Sequence, residues 1–142
     1  MSKELADAYF LLTKGDIYHI MRKERKYLEK FSVEYYKKGD GTCPIQDFMD
    51  SLDIKMRAKL LRLQCLLEQN GNALTEPYSK HIEDGIFELR VQQGNNIARA
   101  LYFFLVNQRI IITNGFIKKT QKTPKRELNL DKKYRAEYIK EA

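Results

Sequence analysis

A chain of 142 residues is long enough for one domain with its own core and too short for two ordinary ones. Its 26 Lys and Arg against 19 Asp and Glu give a net charge of +7 and a pI near 9.3, which points to anionic partners: nucleic acid, an acidic membrane surface or an acidic protein. The longest uncharged apolar run, ALYFFLV at 100–106, falls far short of the ~20 residues of a membrane span, so no membrane partner is expected.

Residues 1–30 read as an N-terminal helical extension. Leu5, Ala8, Tyr9 and Leu12 fall at helical spacing, Gly15 breaks the pattern, and a charged stretch follows from Arg22 to Lys30. Met21 offers an alternative start, which would make the first twenty residues an addition to the gene. Residues 31–142 read as the main domain. FSVEYY at 31–36 alternates apolar and polar side chains, as a strand does, and KKGDG turns the chain. Pro44 suits the first position of a helix, with Thr42 or Cys43 before it as cap; Ile45, Phe48, Met49 and Leu52 then share one face. A second helix is expected from Asp53 to Asn70, with Met56, Leu60, Leu63 and Leu67 as its stripe and Gly71 as its stop. Two such helices form a hairpin whose apolar faces need a sheet.

SKHIEDG at 79–85 reads as a loop. In IFELRVQ, Phe87, Leu89 and Val91 point one way and Glu88, Arg90 and Gln92 the other. The turns GNN and NQ lead into two further strands, IARALYFFLV and RIIITNGF, making an antiparallel meander. Thr123 and Pro124 open a final helix. The predicted order is strand, two helices, three strands, helix: an α+β domain with an antiparallel sheet backed by a helical hairpin.

Most catalytic constellations are missing. His19 and His81 lie far apart, Cys43 and Cys65 have no metal-ligand spacing, no glycine-rich phosphate loop is present, and no serine sits in a nucleophile elbow. No metal or other cofactor is expected. The two cysteines, without a secretory signal, read as reduced thiols in a cytoplasm.

What is left is cationic. From Lys118 to Ala142 nine Lys or Arg face four Asp or Glu. Arg90 projects from the polar face of its strand, Arg99 interrupts an apolar run, Lys118 and Lys119 end the last strand, and Lys122, Lys125 and Arg126 follow. A meander brings such residues within reach of one another, and crowded like charges make sense around an anion such as phosphate. The competing reading is ordinary ion pairing, Arg90 with Glu88 or Glu83 and Arg99 with Glu127 or another carboxylate. Strict alternation also puts Leu101 and Phe103 beside Arg99, so that face is partly apolar or a bulge re-aims the arginine.

GIFELRVQQGNNIARALYFF followed by IIITNGFIKKTQKTPKRE resembles the RelE/ParE toxin superfamily in its phage-derived HigB-like branch, over residues 31–142. The resemblance implies a RelE-like fold and the toxin of a bacterial type II toxin–antitoxin system. Such a toxin is an mRNA endoribonuclease, usually ribosome-dependent, partnered by a helix-turn-helix antitoxin; self-association into a homo-oligomer is left open. RNA cleavage can proceed without metal when the 2′-hydroxyl attacks the adjacent phosphorus and basic side chains position the strand and neutralise charge. By resemblance Arg90 and Arg99 hold the scissile phosphate. Lys119 transfers protons, with Lys118 able to exchange roles, because crowding by other cations lowers a lysine pKa toward the range useful for a general base. Lys122, Lys125 and Arg126 bind the RNA backbone. Tyr102 is a candidate for base stacking, with burial in the core as the stronger reading. Asn114 stands where relatives often carry a histidine; it can orient substrate and cannot exchange protons. Ala98 replaces a frequent tyrosine, and His81 reads as a solvated or structural histidine. Two other functions compete: a ParE-like inhibitor of DNA gyrase, which has no need of convergent cations, and a non-catalytic RNA-binding module of phage origin.

Overall fold

The computed structural model describes residues 30–119 and 122–141. The extension expected over 1–30 therefore falls, apart from Lys30, outside the described residues. Along the chain run β1 (Ser32–Tyr35), α1 (Pro44–Ser51), α2 (Ile54–Asn70), a single 3-10 turn (Gly71–Ala73), β2 (Ser79–Glu83), β3 (Ile86–Gln93), β4 (Asn96–Leu105), β5 (Arg109–Ile117) and α3 (Lys125–Glu141). The five strands form one sheet in the order β1-β5-β4-β3-β2, antiparallel from β2 to β5, with β1 parallel to β5 at one edge. This is the α+β, RelE-like domain that the sequence suggested.

The structure corrects one element. SKHIE is not a loop but the edge strand β2, with Ser79, Lys80 and His81 opposite Leu89, Glu88 and Phe87. An edge strand with little buried surface needs no apolar alternation, so its pairing leaves no pattern to read.

Local chemistry sets the remaining boundaries. Pro44 opens α1 after Cys43, whose side chain makes no cap, while the Thr42 hydroxyl donates to Asp40 Oδ1 instead (2.7 Å). Asp53 caps α2 by accepting from the Met56 N–H (2.8 Å). Gly71 ends α2 at φ 55°, ψ −128°, and a Cβ there would lie 2.0 Å from the Phe31 ring, so only glycine fits. Between β4 and β5 a three-residue turn, 106–108, holds Asn107 and Gln108 at positive φ, 63° and 58°, a left-handed conformation that asparagine adopts more readily than most residues.

The sheet has two unlike faces. One is apolar along its length: Leu89, Val91, Ala98, Ala100, Tyr102, Ile110 and Ile112 bury against Ile45, Met49, Met56, Leu60 and Leu67 of the helical hairpin. The other is apolar only where α3 covers it. There Leu128 joins Ile86, Leu101 and Phe116, and Tyr134 joins Tyr36, Phe103 and Ile111. Leu101 and Phe103 do therefore share the face of Arg99, and the partly apolar alternative holds. A register shift also occurs, between Leu101 and Tyr102, past the second residue after the arginine.

α3 is also pinned by a polar contact. The Thr113 hydroxyl lies 2.6 Å from both Asn114 Oδ1 and Asp131 Oδ2, although it has one proton to give. Asn114 cannot turn its amide round, since Nδ2 already donates to the backbone oxygen (3.3 Å) and to Oε2 (3.1 Å) of Glu127. Both short contacts are satisfied when Asp131 carries a proton and donates it to Thr113. Burial pushes the Asp131 carboxyl above its ordinary value of 3.8, against smaller opposing effects of the Thr113 hydrogen bond, Arg135 and Lys132. The folded value exceeds the unfolded one, so ionisation costs stability in full above the folded value, and that cost disappears as pH falls from there to 3.8. Asp131→Asn, whose amide can donate to Thr113, should therefore unfold at a higher temperature than the parent protein at pH 7. The gap should close on acidification, as read by circular-dichroism melts across pH; a less stable variant at pH 7 would refute the neutral carboxyl.

Candidate active site

Beyond the end of α3 the same sheet face turns cationic. Arg90 on β3 and Arg99 on β4 stand directly opposite one another, and Lys80 on β2 stands opposite Glu88. Lys118 follows the last residue of β5, held by its N–H to the Ile97 carbonyl (2.8 Å), and the chain then passes through Lys119 and Lys122 to Lys125 at the start of α3. These side chains line one cavity of about 1230 Å³. Five lysines and two arginines line it against two carboxylates, Glu83 and Glu88, so the lining carries a clear surplus of positive charge.

Glu88 holds the centre. Its carboxylate is almost fully buried; Oε1 lies 3.4 Å from Arg99 Nε and 3.6 Å from Arg90 Nε, and Oε2 accepts from the Thr123 hydroxyl (2.8 Å). Arg90 also approaches Glu76 at 3.9 Å. Arg99 donates from Nη1 to the Ala98 carbonyl (3.0 Å), yet its buried Nε completes no hydrogen bond. One carboxylate thus serves two guanidinium groups at distances too long to satisfy both, and a buried cationic donor is left wanting an acceptor.

Crowding shows in the titration of the lysine that reaches furthest in. Lys118 is half-buried, and burial lowers its pKa first; Arg99, Arg90 and Lys80 lower it further, against the opposing pull of Glu88. Burial, aided by Arg90 and opposed by Glu88, likewise lowers that of Arg99.

Arg90, Arg99, Lys118, Lys119, Lys122 and Lys125 are therefore brought together. Arg126 is not: its side chain is 91% exposed and lies 3.7 Å from Glu127. Tyr102 lies on the opposite face, buried in the hairpin core, stacked on Phe87 at 5.5 Å with its hydroxyl bonded to Ser79, so no base can reach it there. Asn114 is buried under α3 in the contacts already described, and Ala98 belongs to the hairpin core. His81 reaches the rim, its ring edge-on to Phe87 at 5.0 Å. Both expected ion pairs form: Arg90 meets Glu88, and Arg99 meets another carboxylate than Glu127, again Glu88. The residue that sequence reasoning undervalued is Glu88; its signal was register, since it shares a face with Arg90 two positions away and lies diagonal to Arg99. Among the described residues, no group of three or more His, Cys, Asp or Glu side chains could hold a metal ion. None of their helices is long and apolar enough to cross a membrane.

The model of the phage-derived Gp49-like protein family (DUF891) matches residues 47–136, 90 of the 142 in the chain. The matched span runs from α1 into α3 and includes every residue of the cation cluster. No match was found among curated proteins.

A cluster short of anionic partners should gain stability when one is supplied. Millimolar inorganic phosphate is expected to raise the melting temperature of the protein more than sodium chloride of equal ionic strength, and Arg99→Ala should lose that difference. Equal shifts in both salts, or an unchanged phosphate effect in the variant, would count against an anion site at Arg99.

Proposed function

Because the chain belongs to the phage-derived Gp49-like family, which is associated with RelE/HigB-like toxins and is often the toxin of a toxin–antitoxin pair, we propose that it is a toxin acting as a metal-independent mRNA endoribonuclease. The observation that carries this reading is the convergence of Arg90, Arg99 and Lys118, from three different segments, on one cavity with a single central carboxylate. A gyrase inhibitor needs no such cavity.

The chemistry asks little of the protein beyond position and charge. Arg90 and Arg99 bind the non-bridging oxygens of the scissile phosphate and neutralise the charge that builds as the 2′-hydroxyl attacks in line. Of the two lysines at the end of β5, we assign proton transfer to Lys118: it is the more enclosed, and burial with the neighbouring cations lowers its pKa, so more of it is neutral at a given pH than of an ordinary lysine. That amine takes the 2′-hydroxyl proton. Lys119, exposed beside it, takes the part of the acid that protonates the departing 5′-oxygen, while Lys122 and Lys125 hold the flanking backbone. The products are a 2′,3′-cyclic phosphate and a 5′-hydroxyl. The wider reading includes a cytoplasmic toxin cutting messages on the ribosome, and a helix-turn-helix antitoxin whose binding blocks it.

The test is expression from a tightly controlled promoter in bacteria. Parent protein should arrest growth; Arg99→Ala and Lys118→Ala should relieve the arrest while remaining folded, with cleavage of isolated ribosome-bound message down by about 100-fold or more. Cleavage by the parent should rise with pH and level off below 10.5, the ordinary lysine value, and this limb should vanish in Lys118→Ala. Full toxicity in both variants would exclude this site.

A further inference from the structure

We infer that Glu88 is a positioning residue: one buried carboxylate holds Arg90, Arg99 and the basic loop in the arrangement that takes the phosphate. This deepens the nuclease reading and rests on it. A carboxylate at the centre of an anion site runs against simple electrostatics, since it repels the phosphate those arginines are to bind. Its geometry shows what is gained. Contact with both arginines is through Nε and through the same oxygen, at 3.4 Å and 3.6 Å, while Arg99 Nη1 is taken by the Ala98 carbonyl. Glu88 thus draws Arg99 by charge at Nε without completing a hydrogen bond, and the Ala98 carbonyl takes Nη1, which leaves Nη2 for a ligand. The other carboxylate oxygen accepts from Thr123, three residues before Arg126 and next to the start of α3, and so ties down the segment that carries Lys122 and Lys125. Three separate parts of the chain, β3, β4 and the loop, are therefore aligned through one group. Without it, Arg90 and Arg99 face each other across adjacent strands as unscreened like charges, which would drive them apart.

A mere counter-charge and a positioning group give opposite expectations. Glu88→Gln removes a negative charge, so a counter-charge role predicts tighter phosphate binding, whereas positioning predicts weaker. Glu88→Asp keeps the charge and withdraws it by one methylene, so a counter-charge role predicts no change, and positioning again predicts a loss. The measurement is titration of the full chain with inorganic phosphate, followed at the arginine Nε–H signals in ¹⁵N–¹H spectra, with a thermal melt for each variant. Positioning predicts that both folded variants bind phosphate roughly tenfold more weakly, equivalent to about 1.4 kcal/mol. On ribosome-bound message their kcat should fall by about 100-fold, the scale on which small misplacements act, with KM changed far less. If Glu88→Gln does not fold, Glu88→Asp decides alone. Unchanged or tighter phosphate binding in a folded variant would overturn the inference, as would a parent protein whose Arg90 and Arg99 signals ignore phosphate. A parent protein that binds phosphate at both arginines and loses it in the variants, yet cuts no RNA, would sink the nuclease reading and leave the positioning role standing.

Discussion

A guanidinium cannot shed its charge at any ordinary pH, so burying Arg99 in the second strand of the meander obliges the surroundings to answer it. The fold answers in part. Glu88 comes within 3.4 Å from the neighbouring strand and the Ala98 carbonyl accepts one bond, but Nε stays unsatisfied and Arg90 competes for the same carboxylate. Much of the remaining design follows from this shortage. α3 stops short of covering the whole sheet face: its Leu128 and Tyr134 seal the apolar part around Leu101 and Phe103, and the cationic end is left as a cavity.

The two faces divide structure from chemistry. The hairpin face is a continuous aliphatic and aromatic layer in which Tyr102 packs like any core tyrosine, its hydroxyl satisfied by Ser79. The α3 face mixes burial with polar groups that must each find a partner, and it includes both the Asp131–Thr113–Asn114 chain and the Glu88 centre. Membership of the phage-derived Gp49-like family gives the class of protein, while the nuclease reading comes from the site, since a fold does not by itself fix a mechanism.

Much of this was legible in the sequence because the signals were physical. Period-two alternation in IFELRVQ gave β3 and its faces, Pro44 gave the start of α1, and Asp53 and Gly71 bracketed α2. Six of the seven cations that line the cavity could be named because the short turns left a meander as the only solution; Lys80 was missed with the strand that carries it. Other features left no local trace. β2 is held by backbone pairing at an exposed edge, so its side chains carry no periodicity. Whether Lys118 or Lys119 faces inward depends on how the chain leaves β5 after the extra residue Thr113 opposite the Leu101–Tyr102 step, which alternation counted from either end cannot supply. Asn114 looked like a site residue because it stands where the relatives it resembles often carry a histidine; the structure spends its amide on Glu127, a contact 13 positions away that depends on where α3 docks. Glu88 was legible only as one of several ion-pair partners, because a residue's place at the centre of a cluster is a property of register.

The most direct test of the central claim is the chemistry of RNA ends in bacteria sampled within minutes of inducing the protein. The account predicts new cuts inside translated messages, with a 2′,3′-cyclic phosphate on the upstream fragment and a 5′-hydroxyl on the downstream one, absent when Arg99 is replaced by Ala. Intact messages accompanied by DNA damage, or cuts that leave 5′-phosphates, would contradict it.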